Sequence, residues 1–130
     1  MKTAHRVLII GVGSIGERHL RCFLATERAQ LSFVEVNPEL RQTIATRYPQ
    51  ARAYATIEEA IEIVPTAAVI ATPAPLHIPQ ALLLAQRGVH LLIEKPLSTG
   101  FDRINDLIAL VKLNNLVAAV GYVLRTQPAL

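Results

Sequence analysis

The chain has 130 residues and a net charge of +3, with 52% hydrophobic and 18% charged residues, which is one domain's worth of core-forming chain and excludes a disordered segment of low hydrophobicity and high charge. A single cysteine excludes an internal disulfide, and the apolar runs are of strand length, well short of the roughly 18 residues that a membrane span needs. The pI is 9.4, yet the arginines (Arg6, Arg28, Arg52 and Arg87 among them) are scattered without interleaved aromatics, so they read as solvated surface and not as a nucleic-acid interface.

Met1-Lys2-Thr3-Ala4-His5-Arg6 runs directly into Val7–Ile10 without a signal-peptide pattern. The absence of targeting signals makes the cytoplasm the expected compartment. Val7–Ile10 reads as a first strand, and Gly11-Val12-Gly13-Ser14-Ile15-Gly16 follows it. G-x-G-x-x-G after a strand and before an amphipathic helix is a dinucleotide-binding pattern. Gly11 suits the tight turn, Gly13 a close backbone approach by a pyrophosphate, and Gly16 close helix–strand packing. The helix N-terminus behind the loop then binds the anion. Ile15, His19, Cys22, Phe23 and Thr26 share the expected buried face of this helix, which makes Cys22 inert core and His19 a packing or hydrogen-bonding residue.

Leu31–Val36 reads as the second strand. Glu35 at its end sits where the dinucleotide fold places an acid against the ribose hydroxyls. A carboxylate there repels a 2′-phosphate and favours NAD over NADP, with Arg41 on the next helix as the nearby basic residue. Leu40, Ile44 and Ala45 mark that helix, which ends before Pro49. Ala51–Tyr54 is a weaker strand. Thr56-x-x-Glu59 is a capping-box pattern opening a helix along Ile57, Ala60, Ile61 and Val64.

Ala67–Ala71 is the fourth strand, and Thr72-Pro73-Ala74-Pro75-Leu76-His77 follows at the edge where open α/β sheets bind ligands. His77 there is either a helix-end hydrogen-bonding group or a functional one. Ile78, Ala81, Leu82 and Ala85 form a helix stripe with Gly88 as its stop. His90–Ile93 is the fifth strand. Glu94-Lys95-Pro96 closes it and reads, from the residues alone, as a surface Glu-Lys pair before a turn or as a functional pair, with Lys95 able to move a substrate hydroxyl proton and Glu94 able to hold Lys95 or a cofactor ribose. Phe101, Ile104, Leu107, Ile108 and Val111 mark the fifth helix, and Leu116–Val120 the sixth strand. Six strands alternating with five helices predict a Rossmann-type doubly wound parallel sheet in three layers, α/β/α, with strands buried on both faces. The histidines show no metal-ligand spacing, so no metal site is expected.

These motifs together resemble the N-terminal domain of the glucose–fructose oxidoreductase/inositol dehydrogenase (Gfo/Idh/MocA) family. The matching stretches are Gly11-Val12-Gly13-Ser14-Ile15-Gly16-Glu17-Arg18-His19, Glu35-Val36-Asn37-Pro38, Ala71-Thr72-Pro73, His77, Glu94-Lys95-Pro96-Leu97-Ser98 and Gly121-Tyr122-Val123-Leu124-Arg125. They span nearly the whole chain in family order, and Glu-Lys-Pro is the most specific. Ala74 and Thr126-Gln127 depart from the family's usual Asn after Thr-Pro and its Arg-Phe-His-Pro tail.

The resemblance implies a nicotinamide-dependent oxidoreductase acting on sugars, inositols or related polyols, with Lys95 assisting the hydroxyl proton. It implies cofactor contacts at Gly11, Gly13, Ser14, Ile15, Gly16, Glu35, Val36, Asn37, Thr72, Pro73, His77, Glu94, Lys95 and Pro96. It also implies a cis bond between Lys95 and Pro96 and a His77 near the nicotinamide. Family members are more than twice this length, so residues 1–121 are read as the dinucleotide-binding domain and residues 122–130 as the start of a connection to a substrate domain. The cofactor half alone is then expected to bind NAD but turn over little. Two alternatives stay open. One is a non-catalytic nucleotide-binding or interaction module, completed by a second copy or a partner chain through an apolar patch at Leu116–Leu124. The other is a related fold that takes a different adenosine ligand, such as S-adenosylmethionine.

Overall fold

A computed structural model describes residues 5–128; Met1–Ala4, read above for a targeting signal, and Ala129 and Leu130 of the tail lie outside the described residues. The elements run β1 (His5–Ile10), α1 (Ser14–Ala25), β2 (Ala29–Val34), α2 (Pro38–Arg47), β3 (Arg52–Tyr54), α3 (Ile57–Ile61), β4 (Ala67–Ile70), α4 (His77–Ala85), β5 (His90–Glu94), α5 (Ile104–Leu113) and β6 (Ala118–Gly121). All strand pairs are parallel. The order β3-β2-β1-β4-β5-β6 is that of the Rossmann fold, with its switch point between β1 and β4.

The continuous apolar runs are explained by a sheet covered on both faces. Successive side chains of a strand point to opposite faces, and here they divide between two cores. Leu8, Ile10, Ala68, Ile70, Leu91 and Ile93 pack with Ile57 and Ile61 of α3, Ala81 and Leu84 of α4, and Leu107 of α5. Val7, Ile9, Phe33 and Val69 pack on the other face with Leu20 of α1 and Ile44 of α2. β6 departs from the expected double burial: Ala118 and Ala119 are exposed, because β6 is the last strand of the order and has a neighbour on one side only.

Three expected helix faces are corrected. In α1 the buried residues are Gly16 and Leu20, whereas Ile15 and Cys22 are exposed. The cause is steric. A Cβ on Gly16 would lie 1.7 Å from the Gly11 carbonyl oxygen, so the helix rolls its glycine onto β1 and turns Cys22 outward. Phe101 lies outside α5 and is 95% exposed, since Arg103 takes a left-handed φ of 58° that interrupts the helical path. Val64 likewise falls beyond α3, exposed and at φ 50°. The sixth strand begins two residues later than the run Leu116–Val120, and the second covers Ala29–Val34, leaving Glu35 and Val36 in the loop beyond it. A short 3-10 turn follows β6 at Val123–Thr126.

Capping fits the sequence. Asn37 Oδ1 accepts the Glu39 and Leu40 N–H groups at 2.9 and 3.2 Å, with Pro38 in the first turn of α2. Thr56 Oγ1 accepts the Glu59 N–H at 3.3 Å, and Glu59 reaches back to the Ala55 N–H. Gly88, at φ 76°, closes the turn after α4.

One ion pair fastens α1 to α2. Glu17 Oε1 accepts from Arg47 Nη1 at 2.6 Å and from the Tyr48 hydroxyl at 2.9 Å, and these hydrogen bonds, Arg47 first, hold the Glu17 carboxyl below its ordinary value of 4.5. A depressed carboxyl stabilises the fold above its unfolded pKa, and the contribution is lost as pH falls through the depressed value. Glu17→Gln is therefore expected to lower Tm at pH 7 by roughly a few degrees at most, as befits a partly exposed pair. The difference from the parent should shrink in melts taken below pH 4.5 and vanish once both states are protonated.

Candidate active site at the carboxyl edge of the sheet

The glycine loop leaves β1 at the switch point. Gly11 takes φ 84°, a left-handed conformation that glycine adopts without strain, and its N–H bonds the Val34 carbonyl. Gly13 is the N-cap of α1 and supplies no side-chain cap, unlike Asn37 and Thr56 at α2 and α3. A Cβ at Gly13 would meet nothing within 4 Å. The first N–H groups of α1 therefore face open space, the condition under which a helix N-terminus binds an anion.

Glu35 sits beside this loop. Its Oε1 accepts the Val12 N–H at 3.2 Å and its Oε2 the Asn37 N–H at 3.0 Å. The carboxylate is thus fixed, with further acceptor capacity on each oxygen. Arg41 Nη1 donates to the Glu35 backbone carbonyl at 2.8 Å, so the basic residue on α2 is held at the same strand end.

Two clefts meet here. One, of about 550 Å³, is lined by Gly11, Gly13, Glu35, Val36, Thr72 and Pro73. The other, of about 690 Å³, is lined by Ile15, Arg18, His19, Thr72, Glu94 and Lys95. Ala71 and Thr72 line both, so the β4 loop is their common wall. Ser14 is exposed at the start of α1. Gln80, which sequence reading passed over, and Leu40, read there only as a helix-face residue, also line the first cleft. Gln80 Oε1 accepts from the Thr72 hydroxyl at 2.6 Å. It stands one helical turn after His77, and that spacing from the Thr-Pro loop was its only signal.

Among the described residues the Glu94 carboxylate is paired not with Lys95 but with His19, whose Nε2 lies 2.6 Å from Glu94 Oε1 across 75 residues of sequence. Gly121 makes room for it, since a Cβ there would lie 3.1 Å from Glu94 Oε1. His19 is thus a hydrogen-bonding residue of the second cleft. The Lys95–Pro96 peptide is cis, in line with the expectation from the family resemblance. His77 lines neither cleft. It is 1% exposed, with Nδ1 2.8 Å from the Pro96 carbonyl oxygen and Nε2 2.7 Å from that of Thr72. The ring therefore lies buried beneath the two loops, bonded to the backbone of both.

Gly16 is the position on which the loop's placement turns. Gly16→Ala is expected to destabilise the fold by about 1–3 kcal/mol, because an added methyl must displace a backbone carbonyl in a packed core. Urea unfolding followed by circular dichroism measures this, and an unchanged midpoint would refute the close-packing account.

Comparison with known proteins agrees with this geometry. The family model for the GFO/IDH/MocA oxidoreductases, described as an oxidoreductase family with an NAD-binding Rossmann fold, matches residues 5–122. UDP-N-acetylglucosamine 3-dehydrogenase of Acidithiobacillus ferrooxidans is 30% identical over 125 residues, covering 96% of this chain and 39% of that protein. Its solved structure superposes with a TM-score of 0.87 over 98% of this chain and 41% of that one. The NADP(+)-dependent scyllo-inositol 2-dehydrogenase IolU of Bacillus subtilis is 32% identical over 114 residues, 86% of this chain and 35% of its own length. The WlbA dehydrogenase of Bordetella pertussis, solved with NADH and UDP-GlcNAcA, is 25% identical with a TM-score of 0.88, over 97% of this chain and 39% of that one. The chain spans about two-fifths or less of these relatives' length. It belongs to the GFO/IDH/MocA oxidoreductase family and corresponds to the NAD-binding Rossmann domain of that family.

Proposed function

We propose that the chain is the cofactor-binding part of a dehydrogenase that moves hydride between a carbinol carbon of a sugar, inositol or related polyol and a nicotinamide cofactor, NAD in preference to NADP. The observation that carries this reading is a convergence at one sheet edge. An uncapped helix N-terminus stands behind an open Gly13, a fixed carboxylate at Glu35 flanks it, and Lys95 lies in the adjoining cleft.

The residues fit a dinucleotide. The exposed N-terminus of α1, with Gly13, Ser14 and Ile15, holds the pyrophosphate through backbone N–H groups, and the positive end of the helix dipole adds to the attraction. Glu35 accepts hydrogen bonds from the adenosine ribose hydroxyls, with Val36 and Asn37 walling that end. Thr72 and Pro73 form the floor between the two clefts. When bound, the nicotinamide ring supplies a two-electron hydride acceptor. Lys95 holds the substrate hydroxyl and takes its proton as the carbinol is oxidised, and returns it in the reverse direction. Glu94, oriented by His19, shapes the polar wall next to Lys95 and Pro96.

Specificity for NAD follows from charge. A ribose 2′-phosphate placed against Glu35 meets a carboxylate, whereas a free hydroxyl donates to it. Arg41 approaches the same strand end, which keeps NADPH a weaker ligand and not an excluded one. Substrate positioning supplies a large share of a catalysed rate, about 7–11 kcal/mol in well-oriented systems. On this reading the 130 residues supply the cofactor half of the site and leave substrate positioning to other parts, so they bind NADH by themselves without appreciable turnover.

Titration of NADH and NADPH into the purified chain tests the reading. NADH should bind more tightly. Glu35→Ala should weaken NADH roughly tenfold or more, on the scale of a lost charge-assisted hydrogen bond, and erase the preference. Gly13→Ala, whose added methyl meets no protein atom within 4 Å, should keep the melting temperature and lose affinity. Failure of both nucleotides to bind would refute the proposal. A second use of the surface is favoured by Val117, Tyr122 and Val123, exposed along and after the edge strand: contact with a second copy or a partner chain. Sedimentation velocity over a wide concentration range checks it, and a strictly monomeric chain would remove self-association.

A further inference from the structure

His77 is the one polar residue counted in the core among the described residues, and its placement is specific. It opens α4 immediately after the Ala74–Leu76 turn. Its two ring nitrogens reach carbonyl oxygens on two different segments, Thr72 after β4 at 2.7 Å and Pro96 after β5 at 2.8 Å. A carbonyl only accepts, so each contact asks the ring for an N–H; a neutral imidazole has one and the imidazolium two. In either form at least one of the segments is tied to the ring, and the ring itself is fixed by the packing of α4.

The two segments are those that carry the site. Thr72 is part of the wall common to both clefts. Pro96 follows Lys95, which lines the second cleft. Lys95 is exposed at the end of β5, and the ion pairs found among the described residues do not include it. It is flanked by two anchored points: Glu94, paired with Gly121 in the sheet and bonded to His19, on one side, and the Pro96 carbonyl on the other.

We propose that His77 is a positioning residue: its ring ties the Thr72 loop, which walls the cofactor cleft, to the Lys95–Pro96 turn, and so holds Lys95 at a set place beside the nicotinamide end of the cofactor. The assignment rests on the proposed function for what Lys95 faces, and on geometry alone for the tie between the loops. It accounts for a polar, solvent-excluded histidine that lines no cleft. Residues that orient a reacting group from behind need their own side chains locked by packing and hydrogen bonds, and His77 has both.

The experiment is amide chemical-shift mapping of the 130-residue chain, with His77→Gln and His77→Leu, together with NADH and ADP titrations. The leucine variant should move amides of both loops, residues 71–74 and 94–97, while those of the glycine loop stay in place. NADH affinity should fall roughly three- to tenfold, the scale of one intramolecular hydrogen bond. ADP, which fills the cleft of Gly11, Glu35 and Thr72 without reaching Lys95, should lose less than NADH does. The glutamine variant, with one donor group, should recover one loop and part of the affinity. Shift changes confined to α4, or equal losses for ADP and NADH, would overturn the proposal. Should the variants not fold, the parent chain decides: through-hydrogen-bond coupling from a ring nitrogen to the carbonyl carbon of Thr72 or Pro96 supports the tie, and slow-exchange spectra without either coupling overturn it. If NADH does not bind the parent chain, the cofactor reading fails while the amide shifts and couplings still decide whether His77 joins the loops.

Discussion

The contact between Gly16 and the Gly11 carbonyl governs the rest of the site. No side chain fits between α1 and the end of β1, so the helix axis comes as close to the strand as backbone allows. That approach sets the roll of α1. It points the uncapped N–H groups at the cleft, buries Leu20, and sends His19 across the sheet edge to Glu94. An alanine at this position would move all of these together, which is why a residue of minimal size controls a large surface.

The polar interactions around this contact are arranged in tiers. Backbone N–H groups of Val12 and Asn37 hold Glu35, His19 holds Glu94, Gln80 holds Thr72, and His77 holds the loops after β4 and β5. The side chains of Glu35, Thr72 and Glu94 are each restrained by a partner from a different segment. A restrained carboxylate loses little conformational entropy when it engages a ligand, and the same restraint makes its acceptor directions selective.

The sequence makes the sheet legible because parallel strands buried on both faces leave continuous apolar runs, and here the runs at Val7–Ile10 and His90–Ile93 lie inside observed strands while Ala67–Ala71 overruns β4 by one residue. Gly11 and Gly16 are legible for a different reason: the first takes left-handed backbone and the second has no room for a Cβ. What the sequence hides depends on rotation and on long range. The face of α1 was misjudged because hydrophobic periodicity gives no weight to a glycine, yet Gly16 decides which side packs. Phe101 and Val64 looked like helix-face residues because left-handed backbone at Arg103 and at Val64 itself has no compositional mark. The His19–Glu94 pair spans 75 residues, and only the strand order β1-β4-β5 makes it possible. His77 is a histidine of the right loop whose orientation, buried and not facing the cleft, is set by two carbonyls that no sequence pattern announces.

The cleft has no local origin. Its walls come chiefly from the ends of four strands, β1, β2, β4 and β5, with residues 56–58 after β3 and 121–127 from the end of β6 onward, and these are brought together by strand pairing and by the side-chain ties between the loops. A partly unfolded chain keeps none of it, so a nucleotide that binds the cleft recognises the native state alone. By mass action such a ligand adds about 2.7 kcal/mol of stability at a hundredfold excess over its Kd. The same linkage runs in reverse: fraying at any one of the four strand ends reduces the fraction of chains able to bind. Substitutions far from the cleft that loosen the sheet will then appear in a binding assay as lost affinity, although they touch no residue of the site.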